Sequence, residues 1–156
     1  MAKTSSPTAT QEVHATLNQV MQGVVYPAAN VVFSAQTEDP GALERPPVRD
    51  PAMATDPLVS VFGGWQAIEN SSLALTESAN LLLLPNRMCS NGAPVPIADP
   101  TWSKYVEELR AVGLKTYAAA QAKDRDKMID LSEAVNDSCV HCHNKWRRRA
   151  TENRCK

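Results

Sequence analysis

Cys139, Cys142 and His143 stand as C-x-x-C-H inside the stretch DSCVHCHNKW. On a helix, positions i, i+3 and i+4 share one face, so two thiols and an imidazole are presented together. Such a set suits a structural zinc ion, a dithiol–disulfide exchange centre or a covalently bound haem c. Haem c uses all three groups. The thiols add to the two vinyl groups of one porphyrin edge, and the adjacent His turns under the ring to bind iron as proximal ligand. With four Cys and three His in 156 residues, the motif arises by chance roughly once in a thousand such chains, so it is a specific signal.

The rival chemistries fit less well. Zinc could recruit Cys139, Cys142, His143 and Cys155, which satisfies a four-ligand count. Adjacent ligands at 142 and 143 on one helix are awkward for a closed tetrahedron, however, and no second Cys knuckle exists. Redox exchange prefers a C-x-x-C at a helix N-terminus, where the dipole lowers the thiol pKa. Here the motif lies near a helix end. Two buried structural cysteines that happen to precede a His form the blandest alternative.

Four amphipathic segments must position these groups. In the first, Val13, Leu17, Val20, Met21 and Val24 follow helical spacing, and Ala28, Val31 and Ala35 continue the stripe past Pro27. One helix kinked at Pro27 is expected. Residues of about 37–56 form a Pro-rich loop. Asp56-Pro57 then reads as a cap and first turn, opening a second helix to about Leu84. Its inner face would carry Leu58, Phe62, Trp65, Ile68, Ser72, Leu75, Ala79 and Leu82, with Gly63-Gly64 in its interior. After the loop PNRMCSNGAPVPIADP, Asp99-Pro100 repeats the helix start. The third helix turns Trp102, Val106, Leu109, Val112 and Thr116 inward. A short polar break precedes the fourth, with Met128, Leu131, Val135, Cys139, Cys142 and Trp146 on one stripe. No strand-like alternation appears. An all-α, antiparallel up-down-up-down four-helix bundle is the simplest architecture, a single domain over 1–156 with about 1–9 as a flexible N-terminus.

Composition narrows the class further. A net charge of −1 gives no electrostatic bias toward nucleic acid or membrane. No apolar run approaches the ~20 residues needed to span a bilayer. The opening MAKTSSPTATQEVH lacks the apolar core of a secretory signal, so by itself it gives no export address; a chain whose signal has been removed or replaced by a start Met would look the same.

The segments SCVHCHNKWRRR, VMQGVVYPAANVVF and ESANLLLLPNR together resemble the cytochrome c′-like family of four-helix-bundle c-type cytochromes. The likeness follows helix order over nearly the whole chain. The long first loop and the Cys89/Cys155 pair depart from the family pattern. The resemblance implies one covalent haem c held by Cys139 and Cys142, with His143 as proximal iron ligand. In the branch whose first helix carries Met-x(5)-Pro-Ala-Ala, the Met is the distal ligand, and Met21 matches it. It further implies a non-enzymatic electron carrier, exported to the periplasm, that exchanges single electrons with redox partner proteins. Family members often pair as homodimers through their first helices. If Met21 stays unbound, the same fold implies a five-coordinate binder of NO or CO. A zinc-stabilised helical interaction module remains the alternative from another class.

The bundle topology bears on Met21 independently. Met21 lies about ten residues into the first helix and His143 about seven from the end of the last, so at about 1.5 Å per residue their heights agree within a turn. A Met on an apolar face is otherwise core filler. His14 is the rival sixth ligand, two turns away, and His141 points off the shared face. Cys89 and Cys155 fall at the same end of such a bundle and could form a disulfide in an oxidising compartment. Lys145, Arg147 and Arg148 (with Arg149, Arg154 and Lys156) complement the last helical turn, and could also steer an acidic redox partner. Trp65, Trp102 and Trp146 read as core residues, with haem contact open to Trp146.

Overall fold

The structure, a computed structural model, describes residues 11–42, 63–148 and 155. The described residues are all-helical apart from turns and loops; they hold no strand, only an isolated bridge between Met88 and Pro94. None of the described helices is long and apolar enough to cross a membrane.

The first helical run is built from α1 (Leu17–Val20), a π-helical turn (Met21–Val25) and α2 (Tyr26–Ser34). It begins later than its apolar spacing suggests, leaving Val13 ahead of the helix. The reason is a capping box. Thr16 accepts from the Gln19 backbone N–H, and the Gln19 side chain accepts from the Thr16 N–H at 2.8 Å. At Pro27 the run continues, with residues on either side in helical conformation. The wide turn lies just upstream, where the Tyr26 N–H bonds the Met21 carbonyl five residues back. In a regular helix the Pro27 ring would crowd the Gly23 carbonyl. The wide turn admits one extra residue and rotates the apolar stripe. Val25 is buried where Val24 was expected, and Val24 is exposed, while Ala28, Ala29, Val32 and Ala35 carry the core contact onward.

The second run, α3 (Gly64–Leu82), starts at the glycine pair instead of containing it. Gly63 at φ 59° and Gly64 at φ 49° occupy the left-handed region, where a residue without Cβ avoids the usual penalty. The expected Asp56-Pro57 start, together with Leu58 and Phe62, lies outside the described residues. The rest of the inner face, from Trp65 to Leu82, is buried as its spacing requires.

For α4 (Pro100–Gln121), Asp99 caps the N-terminus by accepting from the Thr101 N–H at 2.7 Å, with Pro100 in the first turn. Trp102, Val106, Leu109, Val112 and Thr116 are all buried. A tight connection through Lys123 at φ 54° leads to α5 (Arg125–His143), capped by Asp124, and then to a second π-helical segment, Asn144–Arg148.

The α3 helix packs along α4, α4 along α5, and α2 against both α3 and α5. At Gly113 the α3–α4 approach is so close that a Cβ would stand 2.5 Å from the Thr76 hydroxyl oxygen. Leu75, Met128, Val32 and Val135 are fully buried at the centre. The Ser132 hydroxyl, shared between the Met128 carbonyl at 2.8 Å and the Val32 carbonyl at 3.3 Å, brings α5 against α2.

Candidate functional site

Along α5 the inward stripe changes character. Met128 and Val135 are sealed in the core, whereas Cys139, Cys142 and His143 are only half-buried. They face a cavity of about 440 Å³, within the ~300–1,000 Å³ range of small-molecule and cofactor sites. The first helical run contributes Met21, Val25 and Ala29 to its walls, α4 contributes Trp102 and Tyr105, and the end of the chain contributes Trp146 and Cys155. Met21, partly buried, therefore shares a cavity with the C-x-x-C-H face. Their separation along the chain is large, and helix packing alone brings them together.

Burial sets the protonation of the site. It pushes the Cys142 thiol up to about 12, reinforced by Cys139 and by Glu108. Cys139 is raised for the same reason, with partial relief from a hydrogen bond with Ser138. Both thiols are free. Redox-exchange cysteines need the opposite environment, one that favours thiolate. His143 is pushed down, first by burial and then by Arg147 and Arg148. The neutral imidazole this favours is the form that ligates a metal.

Comparison with protein-family models, curated proteins and solved structures finds no match for this chain.

The other histidines and cysteines are turned from the cavity or committed elsewhere. His14 is exposed, pairs with Glu12 at 3.5 Å and is no part of the cavity wall. His141 also points away, with Nδ1 at 3.2 Å from Glu108 and its ring 6.0 Å from that of Tyr105. Cys89 and Cys155 are joined in a disulfide, with Cα atoms 5.2 Å apart. That bond removes Cys155 from the zinc set. Among the described residues, no group of three or more His, Cys, Asp or Glu side chains is gathered as a metal cluster.

Trp146 is buried, meets Trp102 edge-on at 5.9 Å, and carries Lys145 over its ring at 4.6 Å. Its indole N–H is buried without a hydrogen-bond partner. Sequence spacing missed Tyr105 and Val25 as wall residues. Tyr105 lies three positions past Trp102 on the same face, a signal that was available. Val25 comes into place only through the π turn.

Two neighbouring thiols, an imidazole beside them and a thioether border the same mainly apolar cavity; a haem c would use such thiols for covalent attachment and the imidazole and thioether for iron.

Proposed function

We propose that the chain is a monohaem c-type cytochrome that carries single electrons between redox partner proteins. Cys139 and Cys142 would hold the haem through thioether bonds, His143 would be the proximal iron ligand and Met21 the distal one. The observation that carries this reading is the convergence of Met21 with Cys139, Cys142 and His143 on one cavity of about 440 Å³. When bound, the haem iron supplies a one-electron Fe(III)/Fe(II) couple, and a His/Met ligand pair raises its potential. The protein's part is to exclude water with apolar walls and to keep His143 neutral.

The pairwise packing of the four helical runs supports the antiparallel four-helix bundle of the cytochrome c′-like family as the architecture. Raised thiol pKa values disfavour dithiol exchange, and the Cys89–Cys155 disulfide disfavours a zinc site completed by Cys155. Disulfide and haem c attachment both belong to an oxidising compartment, which supports a periplasmic location. The exposed Arg147 and Arg148 offer a positive rim for an acidic partner.

Expression in a host with haem c maturation machinery tests the reading directly. Haem should stay with the polypeptide on a denaturing gel and be lost when Cys139 and Cys142 are both replaced by Ser. A colourless wild-type product from that host would overturn it.

A further inference from the structure

We propose that the loop between α3 and α4 is a clasp that fixes the helix bearing Met21 against the helix bearing His143, and that the Cys89–Cys155 disulfide is its closure. The proposal builds on the reading of Met21 and His143 as axial ligands.

Three consecutive loop residues grip both sides of the cavity. Toward the first helix, Arg87 donates from Nη1 to the Ala15 carbonyl at 2.6 Å, and the Met88 carbonyl accepts the Leu17 N–H at 2.9 Å. Toward the last helix, Cys89 is bonded to Cys155, whose own N–H donates to the Trp146 carbonyl at 3.0 Å. Leu17 lies one helical turn before Met21, and Trp146 lies about one turn after His143. Each arm therefore ends close to one ligand.

The loop is itself stiff enough to transmit position. Cys89 accepts from the Gly92 N–H at 3.0 Å and donates to the Ala93 carbonyl at 2.8 Å, and Val95 donates to the Arg87 carbonyl at 2.9 Å. Gly92 turns the chain at φ 78°. The Ser132–Val32 contact joins the same two helices about four turns further along. Between that contact and the clasp lies the cavity. Opening the disulfide would remove the covalent tie between the Arg87–Cys89 stretch and the segment after α5, leaving the Lys145–Asp99 pair to link only the far end of the loop to the last helical run.

Met21 then becomes easier to displace by an external ligand. A ligand that needs the open form binds in proportion to the open fraction. The test uses the haem-loaded full chain in two preparations. One is the Cys89→Ser/Cys155→Ser double variant. The other is wild type folded oxidised and then treated with a dithiol. The dithiol gives two electrons and two protons to the S–S bond, yielding two cysteine thiols and its own disulfide. Ferrous samples are titrated with CO, and hydrogen exchange is followed at the Leu17 amide.

Opening the clasp should tighten apparent CO affinity by about tenfold or more and speed Leu17 exchange. Unchanged CO affinity and unchanged exchange, in a wild type that resists CO, overturn the clasp and leave Met21 ligation standing. If oxidised wild type takes CO as readily as Met21→Ala, the ligand reading fails instead. Leu17 exchange then judges the clasp alone, and no change there overturns it.

Discussion

Lys145, two residues beyond His143, reaches the carboxylate of Asp99 at 3.1 Å. Asp99 is also the N-cap of α4. One carboxylate thus starts the helix that bears Trp102 and anchors the end of the helix that bears the C-x-x-C-H face.

This double role has a pH signature. The Thr101 N–H, and then Lys145, hold Asp99 below its ordinary pKa of 3.8. The folded state therefore binds the proton less well than the unfolded chain. The stabilisation is complete above the unfolded value and is lost as pH falls through the folded one. Asp99→Asn keeps a cap acceptor and removes the charge. Thermal melts should show the variant less stable than wild type at neutral pH, with the two curves converging in strong acid. A constant gap across that range would contradict the pairing.

Two glycines should respond in opposite directions to alanine. At Gly113 a Cβ meets the Thr76 side chain at 2.5 Å and its backbone N at 3.1 Å, so α3 and α4 must separate. Gly113→Ala should cost about 1–3 kcal/mol. At Gly23 nothing lies within 4 Å of the added atom. Gly23→Ala should stabilise by up to about 1 kcal/mol, because helical glycine carries extra unfolded-state entropy. Denaturant titration of both variants reads the contrast.

Arg87 is buried, with only 4% of its surface exposed, and serves two main-chain carbonyls, those of Ala15 and Leu81. Replacing it with Met keeps length and apolar stem but removes both donors. A loss of about 2–3 kcal/mol is expected for hydrogen bonds from a charged group, measured by chemical denaturation. A loss near zero would show the arginine to be replaceable packing.

Much of this arrangement was legible in single residues. Asp99-Pro100 announces a helix because a carboxylate cap and a fixed φ act locally. The α4 face and most of the α5 stripe followed from period alone. The π turn is not legible, since the same residues near Pro27 also fit a kinked regular helix, whose spacing points inward at Val24 where Val25 is the buried residue. Gly63-Gly64 looked like a weak spot inside a helix, because sequence does not reveal the positive φ that makes it a beginning. The C-x-x-C-H face was plain from spacing. Its meeting with Met21 is not given by period; it follows from bundle topology together with helix rise, which set Met21 and His143 at one height. The hold of Arg87 on Ala15 left no trace in the sequence.

The ligand pair is tested most directly by the optical spectrum of the ferrous, haem-loaded protein before and after CO. Iron ligated by His143 and Met21 should give sharp α and β bands that CO leaves essentially unchanged, and Met21→Ala should give a high-spin spectrum that CO shifts at once. A wild-type spectrum that is already broad, high-spin and CO-responsive would contradict Met21 as a ligand.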